Sequence, residues 1–170
     1  KPEVQEDMEE DSYARLMEWA GMAKHWKYDL DGAVKCYEVV SDLEPMNAGI
    51  LVKQAGVKMD GGKHDEALKL FDTALGLDCE TTDALLHRAN LRMLQQKLPE
   101  AKADLERCLE LRPDHVLARL RLATIFMATN DLAGAKKALD DAERVDPNSS
   151  EVHSYRGEMY FAESNVAAAA

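Results

Sequence analysis

Long apolar runs are missing from this chain of 170 residues: the longest is Val166 to Ala170, far short of the roughly 20 residues that a membrane-crossing helix needs. Aromatic residues make up only 6%, yet 46% of the chain is apolar, which excludes a disordered polymer and leaves aliphatic side chains to build a core. Basic charge is scarce too. Against 32 Asp and Glu stand 21 Lys and Arg, a net charge of −11, so a phosphate backbone is a poor partner and no nucleic acid is expected. The three cysteines, Cys36, Cys79 and Cys108, are odd in number and share no close spacing; they fit neither a disulfide framework nor a zinc site and suit a reducing compartment. The opening Lys1-Pro2-Glu3 carries neither an initiator Met nor a signal pattern, so a piece of a longer protein is expected. Residues 1–12, with six carboxylates facing Lys1 alone, read as an acidic leader or linker.

What the chain has is a period. Pro45, Cys79, Pro113 and Pro147 are spaced 34 residues apart, and other columns keep step: Ala33, Ala67, Ala101 and Ala135; Gly21, Ala55, Ala89, Ala123 and Gly157; Tyr37, Phe71, Leu105 and Leu139. Small residues in two of these columns let helices approach closely. Within a unit, apolar residues recur at three- and four-residue spacing, which predicts two amphipathic helices and no strand. Asp31, Asp65 and Asp131 fall at or near the start of the second helix, where a carboxylate caps free amides and meets the positive end of the dipole.

Catalytic chemistry has no foothold in this pattern, and no enzyme activity is expected. Gly61-Gly62 lacks the Lys-Ser or Lys-Thr of a nucleotide cradle and reads as an inter-helix turn. His25, His64, His87, His115 and His153 lie on different repeats without metal-binding spacing, so no metal and no cofactor is expected. Cys108 shares a column with Val40, Ala74 and Ala142, the place of a small buried side chain.

The columns resemble the tetratricopeptide repeat: a small residue on the first helix, alanine on the second, an aromatic or leucine four residues later, and a closing proline. The resemblance implies an all-α tetratricopeptide-repeat superhelix (α-solenoid) of about four helical hairpins plus a terminal helix. Its domain spans 13–163, with repeats 14–47, 48–81, 82–115, 116–149 and a partial 150–163, then a tail at 164–170. It also implies a concave groove lined by the first helices. One first-helix column holds His25, Met59, Met93, Met127 and Phe161; methionine is polarizable and repacks readily, which suits a surface that accepts varied apolar segments. Val52, Leu86 and Leu120 precede those methionines by two turns, with Gly56, Asn90 and Thr124 between. The expected client-binding residues are therefore Val52, Met59, Leu86, Asn90, Met93, Leu120, Thr124 and Met127. Lys53, Lys58, Arg88, Arg92, Arg119 and Arg121 make the first helices the more basic set, a surface able to steer an acidic ligand.

Co-chaperones of this family hold acidic chaperone tails in a carboxylate clamp of Lys, Asn, Asn, Lys and Arg on three first helices. The equivalent places in the first window are Glu18, Met22, Lys53, Asp83 and His87, and no window matches the clamp at more than one place, so no clamp is expected here. The stretch His87-Arg88-Ala89-Asn90-Leu91, followed by Glu100-Ala101, Ala103-Asp104-Leu105, Cys108 and Leu111-Arg112-Pro113, is similar to the C-terminal repeats of the large mitochondrial outer-membrane import receptors. That similarity implies a receptor part facing the cytosol at the mitochondrial outer membrane and binding unfolded or extended precursor proteins. A client-holding co-chaperone of the secretory pathway (endoplasmic reticulum lumen), or a cytosolic scaffold subunit joining folded partners, are the alternatives.

Overall fold

The computed structural model describes residues 2–169, with side chains from 10 to 164. All regular structure among the described residues is α-helical: α1 Pro2–Trp26, α2 Leu30–Leu43, α3 Ala48–Asp60, α4 His64–Leu77, α5 Thr82–Leu94, α6 Leu98–Leu111, α7 Val116–Ala128, α8 Leu132–Val145 and α9 Ser150–Ala169. Among the described residues, no helix is long and apolar enough to cross a membrane. α1 begins at Pro2 and so takes in the acidic segment that the sequence sets apart as a leader, while α9 runs on through most of the expected tail.

The 34-residue period is written into the turns. Tyr28, Gly62, Gln96 and Asn130 follow one another at that spacing, and all four take left-handed backbone angles, φ between 59° and 73°. Each lets the next residue's N–H reach back to a carbonyl five residues earlier: Asp29 to Lys24 at 2.9 Å, and Lys63 to Lys58, Lys97 to Arg92 and Asp131 to Phe126 at 2.8 Å. These bonds satisfy carbonyls that the helix end leaves open. Gly61-Gly62 is thus the α3–α4 turn. The caps sit in the following column, where Asp29 accepts from the Gly32 amide at 3.0 Å and Asp131 from that of Gly134 at 2.9 Å. Lys63 and Lys97 occupy the same place without a side-chain bond. Asp131 caps as expected; Asp31 and Asp65 lie two residues past the cap position, inside the first turn, where a carboxylate meets the positive end of the helix dipole.

Two compact units divide the chain, residues 1–87 and 88–170, with the boundary inside α5. In the first unit Ala14, Ala33, Tyr37, Val40, Ile50 and Val57 form a buried cluster, flanked by Met17, Leu30 and Val34. Phe71 repeats the role of Tyr37 one hairpin later, and both rings are fully buried. α1 and α2 approach so closely that a Cβ at Gly21 would sit 2.7 Å from Cε1 of Tyr37, which explains glycine there. In the second unit the same column holds Leu105 and Leu139, both 0% exposed, among Leu91, Ala123, Ile125 and Val152. The small-residue column loses its meaning only at Gly157, where a Cβ would meet nothing within 4 Å.

Candidate functional site

The first unit contains a cavity of about 380 Å³. Its walls come from first helices, as the sequence implied: α1 supplies Met22, His25 and Trp26, α3 supplies Val52, Lys53, Met59 and Asp60, and α5 supplies Asp83 and His87, over Tyr37 of α2. Gly56 opens it, since a Cβ there would touch nothing within 4 Å. Beside it, the outer face of α1 carries a second hollow of about 460 Å³ framed by Trp19, Met22 and Trp26. Trp19 is 74% exposed and Trp26 93%, so the two tryptophans of the chain stand seven residues apart on one helix face.

The basic groups of the cavity are paired from within. The Lys53 ammonium donates to the Glu18 carboxylate. His25 Nε2 and Asp60 Oδ2 lie 2.8 Å apart, and the Tyr28 hydroxyl donates to the Asp60 carbonyl at 3.3 Å. Burial pushes the imidazole of His87 below its ordinary value of 6.5, against the pull of Asp83 and Asp60, so the ring is neutral at pH 7. It stacks on Phe71, centroids 5.9 Å apart and planes 13° from parallel, and its Nδ1 is buried without a hydrogen-bond partner. Burial and the Glu18 carboxylate push the Tyr37 phenol up, keeping it protonated. What remains is apolar wall plus carboxylate.

The residues expected to bind a client separate in the structure. Val52 and Met59 line this cavity. Leu86 and Leu120, 6% and 0% exposed, are packed in the interior, although each shares its column with half-buried Val52. Asn90, Met93, Thr124 and Met127 are half-buried in the second unit, where the Thr124 hydroxyl donates to its own helix at the Leu120 carbonyl, 3.1 Å. Sequence reasoning missed Trp26 and Asp60 as cavity walls, while His25, from the methionine column, does line the cavity. The pair of tryptophans in a chain so poor in aromatics was the available signal.

The cations of the basic first-helix surface are engaged by groups of their own hairpins or of the neighbouring repeat. Lys58 pairs with Glu66 at 2.8 Å. Arg88 grips the buried Asp104 with two nitrogens, 2.6 and 3.0 Å, and Arg92 holds the same carboxylate at 2.6 Å. Arg119 donates to the Pro113 carbonyl and faces Asp141 at 3.7 Å, and Arg121 donates to the Tyr155 hydroxyl at 2.9 Å. A guanidinium bound this way adds little long-range pull on an acidic ligand. Among the described residues, no group of three or more His, Cys, Asp or Glu is placed to hold a metal ion.

Comparison with known proteins agrees with this architecture. Two family models described as tetratricopeptide repeat match residues 52–115 and 92–158. Over 76% of its length the chain is 32% identical to human RNA polymerase II-associated protein 3, over 70% it is 29% identical to the Arabidopsis thaliana Protein CTR9 homolog, and over 58% it is 30% identical to human Mitochondrial import receptor subunit TOM70. It spans only 18%, 11% and 16% of those proteins. A solved structure of Pseudomonas aeruginosa pilF superposes with a TM-score of 0.82 at 16% identity, covering 92% of this chain and 71% of that one. The first TPR of Spaghetti (RPAP3), solved bound to an HSP90 peptide, gives 0.66 at 29% identity, covering 70% and 94%.

Proposed function

The chain belongs to the tetratricopeptide-repeat family of protein-binding modules, and from that premise we propose that its binding site is the cavity of the first unit and its ligand an extended apolar segment of a client protein. One observation carries the reading: first helices enclose about 380 Å³ between Met22, Trp26, Val52 and Met59, with a glycine at the opening. Flexible methionines and an exposed indole accept varied apolar side chains without a fixed geometry. Such a site does no covalent chemistry; it binds. Within a longer protein this activity serves client recognition by a mitochondrial import receptor, a role supported by the 30% identity to the human import receptor subunit.

A second reading, capture of an acidic chaperone tail, is favoured by the 29% identity to the Spaghetti domain bound to an HSP90 peptide. The charges of this chain oppose it. Where a clamp needs basic and amide groups, the first unit presents Glu18, Met22, Asp83 and a neutral His87, and its Lys53 is already bound to Glu18.

The two readings separate in one titration. Fluorescent peptides from hydrophobic precursors and from acidic chaperone tails are titrated with the chain and with Gly56→Leu, whose side chain enters open space and fills the cavity. Precursor peptides are expected to bind and to lose roughly tenfold in affinity in the variant, with circular dichroism unchanged. Preferential binding of the acidic tails contradicts the proposal.

A further inference from the structure

We propose that the cavity of the first unit selects segments in which a lysine or arginine side chain is flanked by apolar residues, the cation resting between Trp26 and the carboxylates of Asp60 and Asp83. The inference rests on the proposed binding site and names the chemistry it prefers. Three observations point the same way.

The first is the charge balance. Asp60 and Asp83 both line the cavity, the one at the end of α3 and the other in the first turn of α5, and both favour the charged form of the His87 ring. Of the basic groups in the lining, Lys53 is bound to Glu18 and His25 already lies 2.8 Å from one oxygen of Asp60, while His87 and Tyr37 are held uncharged, so Asp83 and the second oxygen of Asp60 make up the excess. The surplus is therefore negative, in a chain whose net charge is −11. A ligand cation is attracted both locally and at long range, and an acidic ligand is repelled on both scales.

The second is the aromatic wall. Trp26 lies at the cavity and is 93% exposed. An indole face is the strongest aromatic partner for an ammonium or guanidinium group. The third is shape: Gly56 and the half-buried Met59 leave room for a long side chain, and the aliphatic stem of lysine or arginine covers apolar wall while its head stays at the carboxylates. One side chain uses the whole lining, which neither an acidic nor a purely aliphatic side chain does.

The test is a matched set of peptides with the same apolar flanks and, at the centre, lysine, norleucine or glutamate. Norleucine keeps the stem and deletes the charge. The lysine peptide is expected to bind about fivefold tighter than the norleucine peptide, with glutamate weakest. Asp83→Asn, an amide of the same shape in the first turn of α5, is expected to reduce the lysine preference, and Trp26→Leu to reduce it further, while norleucine affinity changes little in Asp83→Asn. Equal affinity for lysine and norleucine, or a lysine preference untouched by both variants, overturns the selectivity and leaves the peptide site standing. Binding of none of the three peptides overturns the site itself and this inference with it.

Discussion

The two units are built on one repeat and stabilised differently. In the first, the column after the conserved-size alanines holds aromatic rings, Tyr37 and Phe71, and α1 yields to Tyr37 through Gly21. In the second, the same column holds Leu105 and Leu139, and charge enters the interior: Asp104 occupies a column otherwise filled by Cys36, Leu70 and Ala138, and two arginines close over it. Arg156 adds a further bridge from α9 to Asp140 at 3.0 Å and Glu143 at 2.6 Å. The lesson concerns where cations are used. A repeat whose arginines are locked onto a buried carboxylate has spent them on cohesion, whereas the first unit keeps its ion pairs, Lys53 with Glu18 and Lys58 with Glu66, partly exposed, leaves its core to apolar side chains and retains an open cavity.

The sharpest way to break this comparison is to remove Asp104. Asp104→Ala strands two guanidinium groups beside the core of the second unit and should lower its stability by about 3–5 kcal/mol, while replacing Asp104, Arg88 and Arg92 together with leucine should recover most of the loss. Native-state hydrogen exchange reads each unit separately; a loss that appears equally in the first unit contradicts the division. Next in size is Gly21→Ala. The added methyl meets the Tyr37 ring, and overpacking of this kind costs about 1–3 kcal/mol. Combining it with Tyr37→Leu, the residue type of the second unit, should relieve the clash; thermal melts of the single and double variants decide.

The neutral histidine gives a pH test. Because burial holds His87 below 6.5, the unfolded chain binds its proton more readily than the folded one. The stability contribution is therefore complete above the unfolded value and declines as pH falls through it, by at most about 1.4 kcal/mol per pH unit for one proton. His87→Phe should flatten the decline between pH 7 and 5 in the first unit and leave the second unchanged. The smallest expected effect is Gly157→Ala, chemically the same change as at Gly21 but into open space; it should raise stability by about 0.5–1 kcal/mol through helix propensity.

Much of the fold was legible because the period fixes it. Turn, small-residue and large apolar columns each recur in step, and the structure places them at turns and helix contacts. The site was legible only in part. A column states which face of a helix a residue occupies, and Val52 and Met59 do line the cavity. It does not state what the neighbouring helix lays over that face, so Leu86 and Leu120 read as surface and are interior. Nor does a count of first-helix lysines and arginines reveal that each already has a partner within the array; Asp104, mid-helix in α6, carries no local pattern that announces two arginines from α5.

The central claim, that ligand enters the first unit and not the second, is tested most directly by methionine methyl NMR. Met22 and Met59 line the cavity, whereas Met93 and Met127 occupy the equivalent column in the second unit. Titration with the lysine-centred apolar peptide should move the methyl resonances of Met22 and Met59 and leave those of Met93 and Met127 in place. Shifts confined to Met93 and Met127 would contradict the account.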